Sequence, residues 1–280
     1  MGETRARKLP RSSQGGRHEL GQNFLTHAPT IAFITELVHR TDGPVLEIGA
    51  GDGALTRAVA GLRRDLTALE IDEHRAQRLT RELHGVRVLR ADALRHPLEA
   101  EVVVGNIPFH LTTPILRRLL NAAAWKHAIL LTQWEVARKR AGVGGSTMMT
   151  AQAVPWFEFE LHQRVPASAF SPRPSVDGGI LAIRRRERPL VPWRDRRRYE
   201  SFVYSVFTGR GRGLRQILQR ETSASPAQVQ RALRLAGVHP ERLPRDLDAT
   251  AWASLWSMLG GRRHPPRQDQ RSPSSRAIER

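Results

Sequence analysis

A short apolar strand that runs straight into a glycine turn constrains this chain more than any other feature. Val45-Leu46-Glu47-Ile48 leads into Gly49-Ala50-Gly51-Asp52-Gly53, and Ala54 to Leu62 then has helical spacing. The same rhythm recurs downstream. The pattern predicts a second strand at Leu66–Glu70 with a helix over about 73–83, and a third strand at Val86–Leu89. It predicts a fourth at Val102–Val104 with a helix from about Thr113 to Leu120, and a fifth at Ala128–Thr132. Strands alternating with helices imply an α/β fold, a mostly parallel sheet with helices on both faces. Two later β-rich runs, Phe157–Val165 and Gly179–Ile183, are expected as an antiparallel hairpin at the sheet edge.

After Arg184 the pattern changes. Arg196–Phe207, Pro226–Leu235 and Ala249–Leu259 read as helices, and Ser225-Pro226 reads as an N-cap followed by proline at the first helical position. We therefore expect a catalytic domain over 21–184 and a small all-helical domain over 185–259. Arg184-Arg185-Arg186-Glu187-Arg188-Pro189 reads as the linker. Residues 1–20 and 260–280 are polar, basic and rich in Ser, Gly or Pro, and read as disordered tails.

Charge follows the same division. Of the formal +18, residues 1–20 hold +3 (5 basic, 2 acidic) and residues 21–183 only +2 (18 and 16). Residues 184–259 hold +9 (16 and 7) and residues 260–280 hold +4 (6 and 2). Only three of the 45 basic residues are lysine, which coding bias explains. Coding bias does not explain an excess confined to one part of the chain. A nearly neutral domain followed by a basic one suits a polyanion such as nucleic acid. Arg210, Arg212, Arg215 and Arg220 are candidates for phosphate contacts, with a merely solvated helix face the competing reading for each. The chain has no cysteine, so disulfides, thiolate metal sites and cysteine nucleophiles are excluded. It has no 18-residue apolar run and no apolar leader. Ala6 stands where a myristoylation signal carries Ser or Thr. A cytoplasmic monomer that needs neither membrane nor metal is expected.

Glycines let a backbone turn tightly and approach a ligand closely. Gly49, Gly51 and Gly53 therefore suit the sugar and amino-acid portion of a cofactor at the carboxyl end of the sheet. Glu70, ending the second strand, is placed to accept hydrogen bonds from both ribose hydroxyls, and Asp92 to meet an adenine edge. A nicotinamide site competes, because Gly49-x-Gly51-x-x-Ala54 fits the permissive dinucleotide fingerprint. A tight turn with no ligand is the plainest alternative.

Asn106-Ile107-Pro108-Phe109 separates these readings. It follows the fourth strand, so it faces the same cleft. The Asn106 amide oxygen can accept a hydrogen bond from an exocyclic amine. Pro108 stiffens the turn and leaves a neighbouring carbonyl free to accept another, and Phe109 offers a flat face to an unstacked base. A dehydrogenase has no use for this set, while an ordinary Asn-Pro turn explains it only in isolation.

The tetrapeptide resembles the N-(I/L/P)-P-(Y/F) motif of amino-methyltransferases. Leu20-Gly21-Gln22-Asn23-Phe24-Leu25 is similar to the segment that opens the rRNA adenine dimethyltransferase family. The run from Val165 to Asp177 is similar to that family's proline-rich loop. These motifs span about residues 20–185 in the family's order. Gln133 to Arg140 and Thr150-Ala151-Gln152 with Pro155-Trp156-Phe157 resemble the actinobacterial Erm branch, which modifies one adenine of 23S rRNA, more than the 16S branch.

The resemblance implies a Rossmann-like class I methyltransferase sheet using S-adenosylmethionine. It implies Gln22, Asn23 and Leu25 covering that cofactor, with Gly49, Gly51, Glu70, Asp92 and Asn106 holding it. It also implies Asn106, Ile107, Pro108, Phe109 and Phe170 around an extruded adenine, and 23S rRNA as partner. One departure is Phe109, where many relatives carry Tyr. The stacking face remains but the hydroxyl is gone. A 16S dimethylase and a non-catalytic nucleic-acid-binding descendant are the other readings.

Overall fold

The computed structural model describes residues 23–260. Gln22 and the expected tails, Gly260 apart, lie outside them. Seven strands form one sheet: β2 (Val45–Ile48), β3 (Leu66–Glu70), β4 (Arg87–Arg90), β5 (Val102–Asn106), β6 (His127–Gln133), β7 (Phe157–Val165) and β9 (Gly178–Arg185). Their order is β4-β3-β2-β5-β6-β9-β7. The first five are mutually parallel, whereas β9 runs antiparallel to both β6 and β7. The expected hairpin is present, with its second strand inserted between β6 and the first. A separate two-stranded pair joins β1 (Phe24–Leu25) to β8 (Phe170–Ser171).

Helices cover both faces because side chains alternate along the buried strands. Val102 and Val104 of β5 belong to the apolar cluster under α1 (Ala28–His39) and α2 (Ala54–Ala60). Val103 belongs to the opposite cluster under α4 (Thr112–Asn121). The third helix, α3 (Glu73–Glu82), starts where the Asp72 side chain accepts a hydrogen bond from the Arg75 N–H. Beyond β6 lie two short helices, α5 (Trp134–Arg140) and α6 (Met148–Ala153).

From Arg196 onward the structure is helical: α7 (Arg196–Thr208), α8 (Leu214–Glu221), α9 (Pro226–Leu235) and α10 (Ala249–Leu255), closed by a π turn over Trp256–Gly260. The expected cap of α9 is found as a full capping box between Ser225 and Gln228. Among the described residues no helix is long and apolar enough to cross a membrane.

The apolar cluster under α4 runs on without a break into the C-terminal helices. Aromatic rings make the junction. Trp156 meets Tyr199 edge to face at 5.3 Å, and the Arg185 guanidinium lies over the rings of Trp125, Phe157 and Trp193. The buried Tyr199 hydroxyl donates to the Ala151 carbonyl at 2.8 Å, so α7 is fastened to α6 by a polar bond inside an apolar wall. Tyr199→Phe removes that bond. It is expected to lower stability by about 1–2 kcal/mol and the melting temperature by a few degrees, read by thermal unfolding.

Candidate active site

The sheet order reverses between β2 and β5. β3 and β4 continue to one side of β2, and β6 continues beyond β5. Loops leaving the carboxyl ends of two such strands part in opposite directions and open a crevice. Here the two loops are Gly49–Gly53 and Asn106–Phe109. Their strands are in register, Glu47 beside Val104.

The close approach has a local cause. A Cβ on Gly105 would sit 2.4 Å from the Ile48 carbonyl oxygen, so only glycine lets β5 lie this near the end of β2. Gly49, Gly51 and Gly53 have φ of 75°, 56° and 83°, which only glycine adopts without strain. The backbone N–H groups of Gly49 and Ala50 both donate to the Leu69 carbonyl at 2.9 Å. The Gly51 N–H donates to Glu70 Oε2 at 2.7 Å, and the Asp72 N–H donates to Glu70 Oε1 at 2.8 Å. Burial pushes the Glu70 carboxyl upward, and these two N–H groups oppose that shift.

The crevice has a volume of about 350 Å3. Of the residues proposed for the site, Asn23, Leu25, Gly49, Gly51, Asn106, Ile107, Pro108 and Phe109 line it. Two expected cofactor residues do not. Glu70 is 1% exposed, with both oxygens held by backbone N–H groups, so in this arrangement it braces the glycine loop. Phe24 lies against Gly51, the N–H partner of Glu70, and the Arg75 guanidinium lies 4.8 Å over the Phe24 ring. Asp92 accepts from the Leu94 N–H at 2.8 Å and faces Arg95, outside the crevice lining.

Asn106 Nδ2 donates to the Asn23 carbonyl at 2.7 Å. That bond fixes the amide and leaves its oxygen to accept from a ligand. The Ile107 N–H is held by Leu131 at 2.9 Å, and the Pro108 carbonyl is taken by the Leu111 N–H at 2.8 Å. Of the two carbonyls beside this turn, that of Ile107 accepts no backbone hydrogen bond among the described residues.

Phe109 and Phe170 are neighbours, 6.3 Å apart, but at 74° they meet edge to face. Phe170 is 4% exposed and sits on β8, whose pairing with β1 ties the Asn23–Thr26 segment over the crevice. The Thr26 N–H and hydroxyl both reach the Ala169 carbonyl. Asp177 anchors the far end of that loop by accepting from the Ala167 N–H at 2.8 Å and from Arg164 at 2.7 Å. The Ala167 N–H foremost, then Arg164, holds its carboxyl below the usual range.

Sequence reasoning overlooked Glu47, Phe24, Asp52 and Arg75 as parts of this site. Burial disfavours ionised Asp52, yet contacts with Arg78 and Arg75 hold its carboxyl low. Only the acidic residue inside the glycine motif hinted at such a role. Arg210, Arg212, Arg215 and Arg220 are all exposed, at the start of α8 and along it. Arg220 also donates to the Arg210 carbonyl at 2.9 Å. Among the described residues no three His, Asp or Glu side chains are placed to share a metal ion.

The family model described as ribosomal RNA adenine dimethylase matches residues 14–256. The chain is 56% identical over 210 residues to an rRNA adenine N-6-methyltransferase of Corynebacterium diphtheriae, covering 74% of this chain and 83% of that one. It is 50% identical over 257 residues to the mycinamicin-resistance protein MyrB of Micromonospora griseorubida, covering 90% and 82%. The crystal structure of the 23S rRNA methyltransferase ErmE superposes with a TM-score of 0.78 at 36% identity, over 85% of this chain and 99% of that one.

Gly105→Ala tests the packing on which the crevice depends. The added methyl forces β5 away from Ile48 and is expected to destabilise the protein by about 3 kcal/mol, measured by urea unfolding.

Proposed function

The chain belongs to the ribosomal RNA adenine dimethylase family, and on that premise we propose that it transfers methyl from S-adenosylmethionine to the exocyclic N6 of one adenine in the peptidyl transferase loop of 23S rRNA. The modified adenine then no longer admits macrolide-type antibiotics. The observation that carries this reading is Asn106. Its amide nitrogen is held by the Asn23 carbonyl, which leaves the oxygen to accept from a ligand, and the residue lines the crevice beside the glycine loop.

The crevice suits the cofactor. Leu25, Ile31, Ala54 and Leu55 give it apolar walls, and Asn23, Asn106 and Asp52 give it a few polar groups. It also holds a buried carboxyl oxygen of Glu47 that has no hydrogen-bond partner among the described residues. Gly49, Gly51, Asn23, Leu25 and Asn106 are the residues that would hold the cofactor here, with Gln22 continuing the covering segment. Glu70, whose carboxylate oxygens keep further acceptor capacity beside the bonds from Gly51 and Asp72, and Asp92 are the residues expected to extend that set toward the ribose and the adenine. When bound, S-adenosylmethionine supplies an electrophilic methyl on a positively charged sulfur.

The protein's own contribution is to hold the base. Adenine N6 is a weak nucleophile because its lone pair is delocalised into the ring. The Asn106 oxygen and the Ile107 carbonyl accept the two N6 hydrogens, which favours a more tetrahedral and more nucleophilic nitrogen. Phe109 stacks on the extruded base and offsets part of the few kcal/mol spent in unstacking it. Phe170, edge-on to Phe109, backs that ring. No strong base is needed, because the proton leaves after methyl transfer. Orientation supplies much of the rate.

The basic helical region, with Arg210, Arg212, Arg215 and Arg220, supplies phosphate contacts that bring the rRNA to the crevice. Neutralising all four arginines is expected to weaken rRNA binding. It should also flatten the dependence of binding on salt, by about one unit of logarithmic slope for each arginine that pairs with a phosphate. Unchanged slope would leave the four as a solvated face.

Labelled methyl from S-adenosylmethionine should enter protein-free 23S rRNA at one adenine, and neither 16S rRNA nor assembled small subunits. Label in the latter would make the protein a 16S dimethylase. Asn106→Ala should lower incorporation by at least roughly 100-fold. Phe109→Ala should lower it by about 5- to 150-fold, the range that 1–3 kcal/mol of stacking spans, and Phe109→Tyr by no more than a few fold.

A further inference from the structure

The turn that carries Phe109 leaves β5 and enters α4, and both of its ends are pinned to β6. At its start the Ile107 N–H donates to the Leu131 carbonyl at 2.9 Å. At its end the Thr112 hydroxyl meets the hydroxyl of Thr132, the residue after Leu131, at 2.6 Å. Between these pins the turn is held by its own short bonds. The Leu111 N–H donates to the Pro108 carbonyl, and the Thr112 N–H donates to the Phe109 carbonyl. Thr112 therefore grips the backbone of Phe109 with its amide and β6 with its hydroxyl.

The hydroxyl pair sits where the core is otherwise apolar. Thr112 and Thr132 are both buried. Alternation along β6 puts Thr132 on the face of Leu130, whose apolar cluster includes Ile115 and Leu116 of α4 and Ala137 of α5. The Thr112 hydroxyl does not cap α4, whose first turn has no side-chain cap. Burying two hydroxyls is costly unless they bond to each other, and two valines of the same shape would be nearly neutral for stability. What the pair adds is direction: a bond of one length between one point on α4 and one point on β6.

The other groups that meet the adenine are fixed independently. The Asn106 amide is set by the Asn23 carbonyl, and Ile107 by Leu131. Phe109 is half-buried, its ring meets Phe170 edge to face, and its backbone is tied to the sheet through Thr112. We propose that Thr132, acting through Thr112, is the positioning residue for Phe109, and that their hydroxyl bond sets the angle at which the ring meets the target base. This rests on the crevice being the site of adenine methylation. A base stacked out of line presents N6 off the axis of the incoming methyl, and a misplacement of about 1 Å costs on the order of 100-fold in rate.

The test is single-turnover methyl transfer to protein-free 23S rRNA at saturating rRNA and S-adenosylmethionine. Thr132→Val alone strands a buried hydroxyl and costs stability. Thr112→Val/Thr132→Val removes the bond and strands neither, so its melting temperature should stay close to that of the wild type. Its rate should nevertheless fall about tenfold, with the affinity for S-adenosylmethionine unchanged. Thr132→Ser, which keeps the hydroxyl, should retain most of the rate. In a Phe109→Ala background the two valines should slow transfer no further, because the ring they would misplace is gone.

A purely structural pair predicts the reverse, a lowered melting temperature at the wild-type rate, and that result overturns the proposal. So does an equal loss from the two valines in the wild type and in Phe109→Ala, since the pair would then act through something other than the ring. A wild type that transfers no methyl to any rRNA would overturn the assignment of the site itself.

Discussion

Two parallel strands, β2 and β5, lie side by side and end level, and everything in the crevice depends on that. The register sets Glu47 against Val104, and the missing side chain at Gly105 lets the strands close to a distance no other residue permits. From that adjacency come both working loops. One presents glycine backbone, the other an amide and an aromatic ring. Because the sheet order reverses here, no helix crosses the gap between the loops, and the site is open where the chemistry must occur.

The crevice is rigid at its base and closed by long-range contacts at its rim. Its base is fixed by backbone hydrogen bonds to Leu69 and by the two N–H groups on Glu70. Its rim is the pairing of β1 with β8, two residues each, joining segments 146 positions apart in the chain (Leu25 with Phe170 is 145, Phe24 with Ser171 is 147). Asn106 belongs to both parts. It stands on the rigid strand, and the Asn23 carbonyl on the rim sets its amide. The segment that covers the crevice is thus also the one that sets the Asn106 amide.

Much of this was legible in the sequence because it is local. The strand–glycine–helix rhythm, the edge hairpin and the Ser225-Pro226 cap each depend on a few neighbouring positions. What escaped depends on distant ones. Ala28–His39 follows directly on the Asn23–Thr26 segment, and its helical pattern was not recognised. Leu214–Glu221 is short and preceded by Gly209, Gly211 and Gly213, so the sequence does not mark its bounds. The insertion of β9 between β6 and β7 cannot be deduced from the order of strands alone. Glu70 was given a ligand role from its place at a strand end. Its engagement by the N–H groups of Gly51 and Asp72 could be known only from the folded loop. Glu47 reads as one more strand residue, and its burial, with an Oε2 that has no hydrogen-bond partner among the described residues, is a property of the fold.

The central claim is that one crevice, at the switch between β2 and β5, holds the methyl donor and the target base face to face. A crystal structure with S-adenosylhomocysteine bound tests it most directly. The account predicts the ligand's amino-acid end over Gly49 and its sulfur turned to the Asn106 oxygen. A ligand seated elsewhere, or seated here with its sulfur turned away from Asn106, would contradict it.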